Sequence, residues 1–228
     1  MNCFIFINSC LTKSFKKTIK EIIFEARADL NTQCPVICAD SGADLACGCI
    51  VPDLIIGDFD SISEKTYEYF KNRGVKFEKY PPEKDYTDFH LALEKAVELF
   101  PEITRITVFG GLARRLDQTL GNIYVAACFQ KSRKIPVSLH EAETHVYISS
   151  SDVNEKLFID EFIKKGDIVT LRPLFEEVTI RKVFGLKYKI NNEKLYAFES
   201  RGTSNVAMGK AIKIEVSEGT LLAIHIEK

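Results

Sequence analysis

The 228-residue chain is predicted to be an α/β protein with an N-terminal, mainly parallel doubly wound sheet carrying helices on both faces and a C-terminal antiparallel β-sandwich domain. Two observations predict this fold. In the first two-thirds, short β-branched or aromatic runs alternate with amphipathic helical patterns, which is typical of parallel strands joined by crossover helices. After about Ser149 the helical spacing disappears, and short apolar runs are separated by turn residues, as in antiparallel sheets.

The N-terminal elements follow one another in alternation along the chain. Four segments repeat apolar residues every three or four positions, clearest at Phe89, Leu93, Ala96 and Phe100, and this spacing predicts helices over 14–31, 63–73, 88–100 and 116–131. The apolar runs between them predict strands over 3–8, 36–40, 54–58, 75–80, 103–109 and 137–140.

The C-terminal runs are short and predict strands only. They cover 157–159, 168–171, 178–183, 186–190, 195–198, 211–216 and 221–226. Turn residues at 191–192 and 217–220 predict hairpin loops between some of these strands. The polar stretch 149–152 has no apolar periodicity, so we expect the boundary there, with domains 1–148 and 149–228.

Bulk composition excludes several classes of protein. With 31 basic and 32 acidic residues, nothing suggests nucleic acid or an anionic membrane as a partner. The start of the chain has no basic leader, and no apolar run approaches the ~20 residues of a membrane span, so we expect a cytoplasmic protein. Seven cysteines, an odd number, predict free and mostly buried thiols rather than a disulfide framework.

The segment 52–61 carries the most specific chemical signal. An apolar run ends in glycine and is followed by Asp58 and Asp60. Because side chains alternate along a strand, the two carboxylates are expected on the same side, where they repel each other unless a cation lies between them. Mg²⁺ suits this arrangement, since it is held by one or two carboxylates and completes its coordination with waters and phosphate oxygens.

Other polar segments also follow predicted strands, at the edge where open α/β sheets bind ligands. Asp40, Ser41 and Gly42 follow one strand, although these residue types alone favour a simple turn. Between the strands ending near 80 and 109, Thr87 or Asp85 can cap the next helix, and capping hardly explains both Asp85 and Asp88.

A third polar segment follows the strand at 103–109. Gly110 and Gly111 allow a backbone to approach a phosphate and to point N–H groups at it. Arg114 or Arg115 is then a candidate phosphate clamp beside Asp117.

Several common motifs are missing from the sequence. There is no Gly-x4-Gly-Lys-Ser/Thr loop, no glycine-rich dinucleotide fingerprint and no nucleophile elbow. The histidines share no ligand spacing and are predicted to pack or to lie on the surface: His90, His140, His145 and His225.

Taken in order, the chemical segments resemble those of a known family. Segments 39–43, 52–62, 84–89 and 110–123 look like the catalytic-domain motifs of the thiamine pyrophosphokinases, which make thiamine diphosphate from thiamine and ATP. Segments 171–174, 185–188 and 202–205 resemble their C-terminal domain, so the resemblance covers nearly the whole chain.

The resemblance implies an N-terminal domain that binds Mg²⁺ and ATP, a β domain that contributes to the thiamine pocket, and a homodimer with active sites between subunits. It implies metal ligation by Asp58, Asp60 and Asp88, which with Asp117 are also the implied catalytic residues. On the thiamine side it implies Asp117, Ser204 and Asn205. On the ATP side it implies Asp40, Ser41, Gly42, Lys84, Asp85, Thr87, Gly110, Gly111 and Arg115.

The chain departs from the family pattern at three points. Gln118 stands where the family usually has histidine, so an amide that does not titrate takes that place. Ser41 replaces a common glycine. The chain has no tryptophan to stack on thiamine, and the aromatic candidates are Tyr188, Tyr196 and Phe198.

The implied reaction is attack of the thiamine hydroxyl on the β-phosphorus of ATP, with AMP as the leaving group. A carboxylate is expected to accept the hydroxyl proton, and Asp117 and Asp88 both remain candidates. Two alternatives are a phosphohydrolase of the haloacid-dehalogenase type, because the segment 58–61 resembles its nucleophile motif, and an inactive thiamine or nucleotide binder, because of Gln118 and Ser41.

Overall fold

A computed structural model describes residues 1–9, 12–26, 34–112 and 115–228. The chain divides into two compact units, Met1–Phe129 with Leu139–Ala142, and Gln130–Ser138 with Glu143–Lys228. The helices are α1 (Lys13–Ala26), α2 (Gly42–Ala46), α3 (Glu64–Lys71), α4 (Asp88–Leu99) and α5 (Leu116–Arg133). The strands are β1 (Asn2–Phe6), β2 (Val36–Ala39), β3 (Leu54–Gly57), β4 (Lys76–Lys79), β5 (Arg105–Phe109), β6 (Val137–Glu141), β7 (Thr144–Ser150), β8 (Lys156–Ile159), β9 (Ile168–Phe184), β10 (Glu193–Tyr196), β11 (Asn205–Val206) and β12 (Ile212–Ile226).

The first unit confirms the predicted parallel sheet. Its strands pair in the order β5-β1-β2-β3-β4, all parallel. Phe4 and Phe6 pack on Phe109, which also meets Phe15 of α1. Ile5, which lies between the two phenylalanines and points the other way, is buried too. Strands buried on both faces are the expected result of crossover helices, and they explain the nearly continuous apolar runs in the sequence.

The predicted helices of the first unit are also present. Ser63 and Thr87 cap α3 and α4 by accepting from backbone N–H groups three residues on, which fixes where these helices begin. The short helix α2 was not predicted, because the residues after Asp40 were interpreted as a turn. Residues 27–31 of the first predicted helix lie outside the described residues.

The second unit is antiparallel, as predicted, but its strands are longer than the sequence indicated. The predicted strands 168–171 and 178–183 form one strand, β9, and the predicted strands 211–216 and 221–226 form β12. The hairpin loop predicted at 217–220 is therefore wrong. Register shifts between Glu215 and Leu221 accommodate the turn residues as irregularities within a continuous strand, and Gly219 there has a φ of 78°.

Two further predictions for this unit differ from the structure. Residues 186–190 form no strand, and only an isolated bridge joins Leu186 to Ala207. The expected domain boundary at residue 149 falls inside β7, which pairs with β12 along its whole length and so belongs to the second unit. Residues 191–192 do lie in a loop between antiparallel strands, because β10 pairs with β9, but this loop covers 185–192 instead of following a strand at 186–190.

The structure also bears on the predicted free thiols and on the question of membrane-spanning helices. Cys3 and Cys38 are buried thiols, and burial raises the pKa of both well above the ordinary value. Cys10 lies outside the described residues. Of the helices in the described ranges, none combines the length and the apolar character needed to cross a bilayer.

Candidate functional site

Three carboxylates meet at the carboxyl ends of β2 and β3. Asp40 directly follows β2, and Asp58 and Asp60 follow β3; one oxygen from each lies within 4.8 Å of the others. The two strand ends are locked together, because Asp40 N–H donates to the Ile56 carbonyl at 2.7 Å. Gly57 keeps this approach open, since a Cβ there would lie 3.0 Å from the Asp40 Cβ. Close backbone packing at Gly57 therefore brings these acidic groups together.

The pKa shifts of Asp58 and Asp60 agree with this crowding. The Asp60 N–H, which donates to Asp58 Oδ1 at 3.2 Å, is the main cause that lowers the pKa of Asp58. The neighbouring Asp58 charge raises the pKa of Asp60. One carboxylate is thus stabilised as an anion while its partner is destabilised, the expected result when like charges share a small space.

The donor set fits a hard divalent cation. Ser61 Oγ donates to Asp40 Oδ2, while Asp40 Oδ1 is buried and has no hydrogen-bond partner among the described residues. A buried carboxylate oxygen without a donor is costly unless something else satisfies it. Oxygen-only ligands with room for water are what Mg²⁺ prefers. Asp40, which the family resemblance placed on the ATP side, lies beside Asp58 and Asp60. Asp88 is connected to Asp58 through Lys84.

Lys84 forms that connection. Its ammonium group lies 3.7 Å from Asp58 Oδ2 and 3.3 Å from Asp88 Oδ1, with all three side chains largely shielded from solvent. Asp88 is the first residue of α4, and burial raises its pKa despite Lys84. Thr87 is the helix cap, so Asp88 is left available for chemistry, and Asp85 is exposed.

The residues after Asp40 serve the packing of α2. Gly42 is buried, and a Cβ there would lie 2.1 Å from the Phe6 carbonyl oxygen, so no other residue fits this backbone. Ser41 precedes α2 and makes no side-chain capping bond. Asp44, one turn into α2, accepts from Ser63 N and Oγ at 3.1 and 2.5 Å, which ties α2 to the loop that carries Asp60 and Ser61.

The sequence suggested that Gly110 and Gly111, which follow β5, point N–H groups at a phosphate. In the structure both N–H groups donate to backbone carbonyls instead. Gly110 N–H donates to the His140 carbonyl at 2.9 Å, and Gly111 N–H donates to the Asn8 carbonyl at 2.8 Å. Both glycines have positive φ, and an added Cβ would lie 2.5 Å or less from Ile7. Gly110 and Gly111 are therefore needed for close packing against the end of β1. Donation of their N–H groups to a phosphate does not explain why these positions are glycine.

Arg115 and Asp117 pair with each other at the start of α5. Arg115 donates through Nε and Nη2 to the two Asp117 oxygens at 3.2 and 2.6 Å, and both side chains are exposed. These hydrogen bonds lower the pKa of Asp117. Arg114, the alternative phosphate clamp, lies outside the described residues.

In the second unit, Asn205 acts on the backbone. Its side chain accepts from Tyr188 N and Val206 N at 2.9 Å and donates to the Tyr188 carbonyl at 2.8 Å. Ser204 is exposed, has a φ of 55°, and donates its N–H to Thr170 Oγ1 at 3.0 Å. The buried amide of Asn205 thus fixes the position of Tyr188, whose ring is exposed.

The aromatic candidates of the second unit lie on the surface. Tyr196 and Phe198 stack with ring centroids 5.3 Å apart, and Phe198 is the most exposed large apolar side chain of the described residues. Arg172 donates to the Ala197 and Glu199 carbonyls beside them. These rings are held in place without being covered, as a surface that stacks on a planar ligand requires.

Sequence reasoning missed two residues of the first unit. Ser61 bonds Asp40, and its position next to Asp60 is the signal that could have identified it. Glu141 ends β6 and is buried, with both oxygens accepting hydrogen bonds. The rule that ligands bind at strand ends would have identified Glu141 if the predicted strand 137–140 had been one residue longer.

Comparison with known proteins accounts for this arrangement. The profile described as "Thiamin pyrophosphokinase, catalytic domain" matches residues 27–139, and that described as "Thiamin pyrophosphokinase, vitamin B1 binding domain" matches residues 155–221. The chain belongs to the thiamine pyrophosphokinase family. The haloacid-dehalogenase alternative is set aside, since both parts of the chain match this family in order.

Individual relatives agree with the assignment. The chain is 28% identical over 186 residues to the thiamine pyrophosphokinase of Bacillus subtilis (strain 168), covering 74% of this chain and 80% of that protein. It is 25% identical to thiamine pyrophosphokinase 1 of Oryza sativa subsp. japonica, over 77% of this chain and 66% of the relative.

Solved structures support the fold of this family member. The Bacillus subtilis thiamine pyrophosphokinase structure superimposes with a TM-score of 0.80 at 22% identity, covering all of both chains. The Candida albicans thiamin pyrophosphokinase gives 0.75 at 19% identity, covering 99% of this chain and 90% of that one. The predicted fold class, parallel α/β followed by antiparallel β, is confirmed.

Proposed function

We propose that this thiamine pyrophosphokinase family member transfers the pyrophosphoryl group of ATP to the hydroxyl of thiamine, giving thiamine diphosphate and AMP. The observation that carries the proposal is the convergence of Asp40, Asp58 and Asp60 at the edge where a parallel sheet binds ligands. Such a carboxylate set suits a cation that binds polyphosphate, because like charges this close together repel each other without one.

In this proposal Asp40, Asp58 and Asp60 hold Mg²⁺, which when bound neutralises charge on the phosphate oxygens of ATP. Lys84 adds a second positive charge between Asp58 and Asp88. Pyrophosphoryl transfer depends on alignment of the reacting groups and on stabilisation of the phosphate charge more than on covalent chemistry by the protein. The remaining ATP-side residues, Ser41, Gly42, Asp85, Thr87, Gly110, Gly111 and Arg115, stay predictions.

The directions of the pKa shifts favour one proton acceptor. Burial raises the pKa of Asp88, whereas hydrogen bonding from Arg115 lowers the pKa of Asp117. A base becomes more effective as its pKa approaches the working pH. These directions favour Asp88 as the acceptor of the hydroxyl proton in this proposal, and Asp117, which is paired with Arg115, stays the alternative.

On the thiamine side we propose that Ser204 and the ring of Tyr188, which Asn205 holds, contact the substrate. The second unit matches a profile described as a vitamin B1 binding domain, which supports this placement. We also propose a homodimer, as the family resemblance implies. Light scattering at working concentration tests it, with a mass near twice 25.8 kDa expected and a mass near 25.8 kDa contradicting it.

One assay tests the reaction. The purified protein is incubated with thiamine, ATP and Mg²⁺, and AMP, ADP, phosphate and thiamine diphosphate are separated and quantified. We expect equal amounts of AMP and thiamine diphosphate and no ADP. Phosphate release without AMP would indicate a hydrolase. Thiamine binding by calorimetry without any product would indicate an inactive binder.

A further inference from the structure

Glu141 is a buried carboxylate at the end of β6, only 4% exposed. Its Oε1 accepts from Ser9 Oγ at 2.8 Å, and its Oε2 accepts from Leu112 N at 2.7 Å. Burying a carboxylate is expensive unless hydrogen bonds compensate for the lost water. Donors on two separate loops contribute to this compensation, so removing the carboxylate releases both of them.

The two loops lie at the crossover of the parallel sheet. Strand β1 pairs with β2 on one side and with β5 on the other, so the chain order reverses between β1 and β5. Ser9 follows β1, and Leu112 follows β5. The crevice at such a reversal is where open α/β sheets place their ligands.

The β5 loop is held by successive backbone donors. The N–H groups of Gly110, Gly111 and Leu112 donate to His140 O, Asn8 O and Glu141 Oε2 respectively. The first two acceptors are neutral carbonyls, and the third is a carboxylate, which makes the stronger kind of hydrogen bond. Asn122 of α5 closes the other side by donating to the Gly111 carbonyl at 3.0 Å.

We propose that Glu141 is a positioning residue for pyrophosphoryl transfer, acting through the Leu112 N–H and Ser9 on the loop that leads into Arg115 and Asp117. The proposal rests on the function proposed above. Glu141 acts in this proposal through its hydrogen bonds, which hold Leu112 shortly after β5 and Ser9 after β1. A displacement of about 1 Å in such a loop can cost on the order of 100-fold in rate.

The test compares Glu141→Ala and Glu141→Gln with Glu143→Gln, an exposed control two residues away. We expect Glu141→Ala to lower kcat/KM for thiamine and ATP about 10- to 100-fold. Glu141→Gln should recover much of the loss, because its amide oxygen can still accept from Leu112 N. Glu143→Gln should match the unsubstituted protein. Amide exchange at Leu112 should accelerate in Glu141→Ala while exchange in β1 and β5 does not.

The outcomes separate the two proposals. If the unsubstituted protein forms no AMP, the proposed function fails, and a role of Glu141 in that transfer falls with it. If the protein is active and Glu141→Ala keeps normal kcat/KM, or if exchange accelerates uniformly over the first unit, positioning by Glu141 is overturned. Should Glu141→Ala not fold, Ser9→Ala, which removes the hydroxyl that donates to Oε1, replaces it with the same expectation of lowered kcat/KM.

Discussion

The ammonium group of Lys84 lies 3.3 Å from Asp88 Oδ1, so a lysine that precedes α4 is paired with the first residue of that helix. The same ammonium group reaches Asp58. Lys84 therefore connects the carboxylates that follow β3 with the carboxylate that begins α4, and it partly neutralises both. In the proposed function, a polyphosphate entering this site would meet a positive charge already in place.

Replacing Lys84 with methionine should lower kcat/KM for ATP about 10- to 100-fold, because a hydrogen bond to a charged group contributes roughly 1.5–3 kcal/mol. The affinity for Mg²⁺ without nucleotide should rise, since the competing cation is gone. Steady-state kinetics and calorimetric Mg²⁺ titration measure the two effects. Lys65→Met, at an exposed lysine of α3, is the control and should change neither.

Under the proposed function, replacing Asp60 with asparagine should reduce AMP formation about 100-fold or more, because a charge that would hold Mg²⁺ is lost. The thermal midpoint should stay the same or rise slightly, since the Asp58 charge disfavours ionised Asp60 and the substitution removes that repulsion. Glu83→Gln, at an exposed acid of the neighbouring loop, serves as control. Near-normal AMP release from Asp60→Asn would disprove metal binding by Asp60.

Alanine substitutions at two glycines are expected to change the free energy of unfolding in opposite directions. Gly42→Ala places a methyl group 2.1 Å from the Phe6 carbonyl oxygen, so β1 or α2 must shift, at a cost of about 1–3 kcal/mol in the free energy of unfolding. Gly121→Ala meets nothing within 4 Å and lies inside α5, so it should stabilise by about 0.4–1 kcal/mol. Urea denaturation followed by circular dichroism measures both, and equal effects would contradict the packing described for Gly42.

The parallel sheet and the acidic edge were predictable because both follow from local signals. Apolar runs bounded by helical spacing predicted β1 to β5, and the strand-end rule led to Asp40, Asp58 and Asp60. The continuous course of β12 was not predictable, because turn residues at a bulge resemble those of a hairpin loop. Hydrogen bonds distant in sequence, such as that between Ser9 and Glu141, leave no pattern in a single chain.

The second unit contains a buried group that titrates. His145 of β7 lies opposite His225 of β12, and their rings stack with centroids 5.0 Å apart. His145 Nε2 lies 3.1 Å from Glu227 Oε1, and His225 Nε2 lies 2.9 Å from Asp167 Oδ2. Burial lowers the pKa of His145 from 6.5 to about 4, an effect that its hydrogen bond with Glu227 only partly offsets.

This shift makes stability depend on pH. The folded state binds the His145 proton only below about pH 4, while the unfolded chain binds it below pH 6.5. Between these values the unfolded state holds more protons, so the free energy of unfolding should fall as the pH is lowered, by about 3 kcal/mol in total from this residue. Urea denaturation at pH 7.5, 6.5, 5.5 and 4.5 measures the slope. His145→Gln should flatten it between pH 6.5 and 4.5, whatever its effect at pH 7.5. An unchanged slope in that variant would show that the loss of stability comes from other groups.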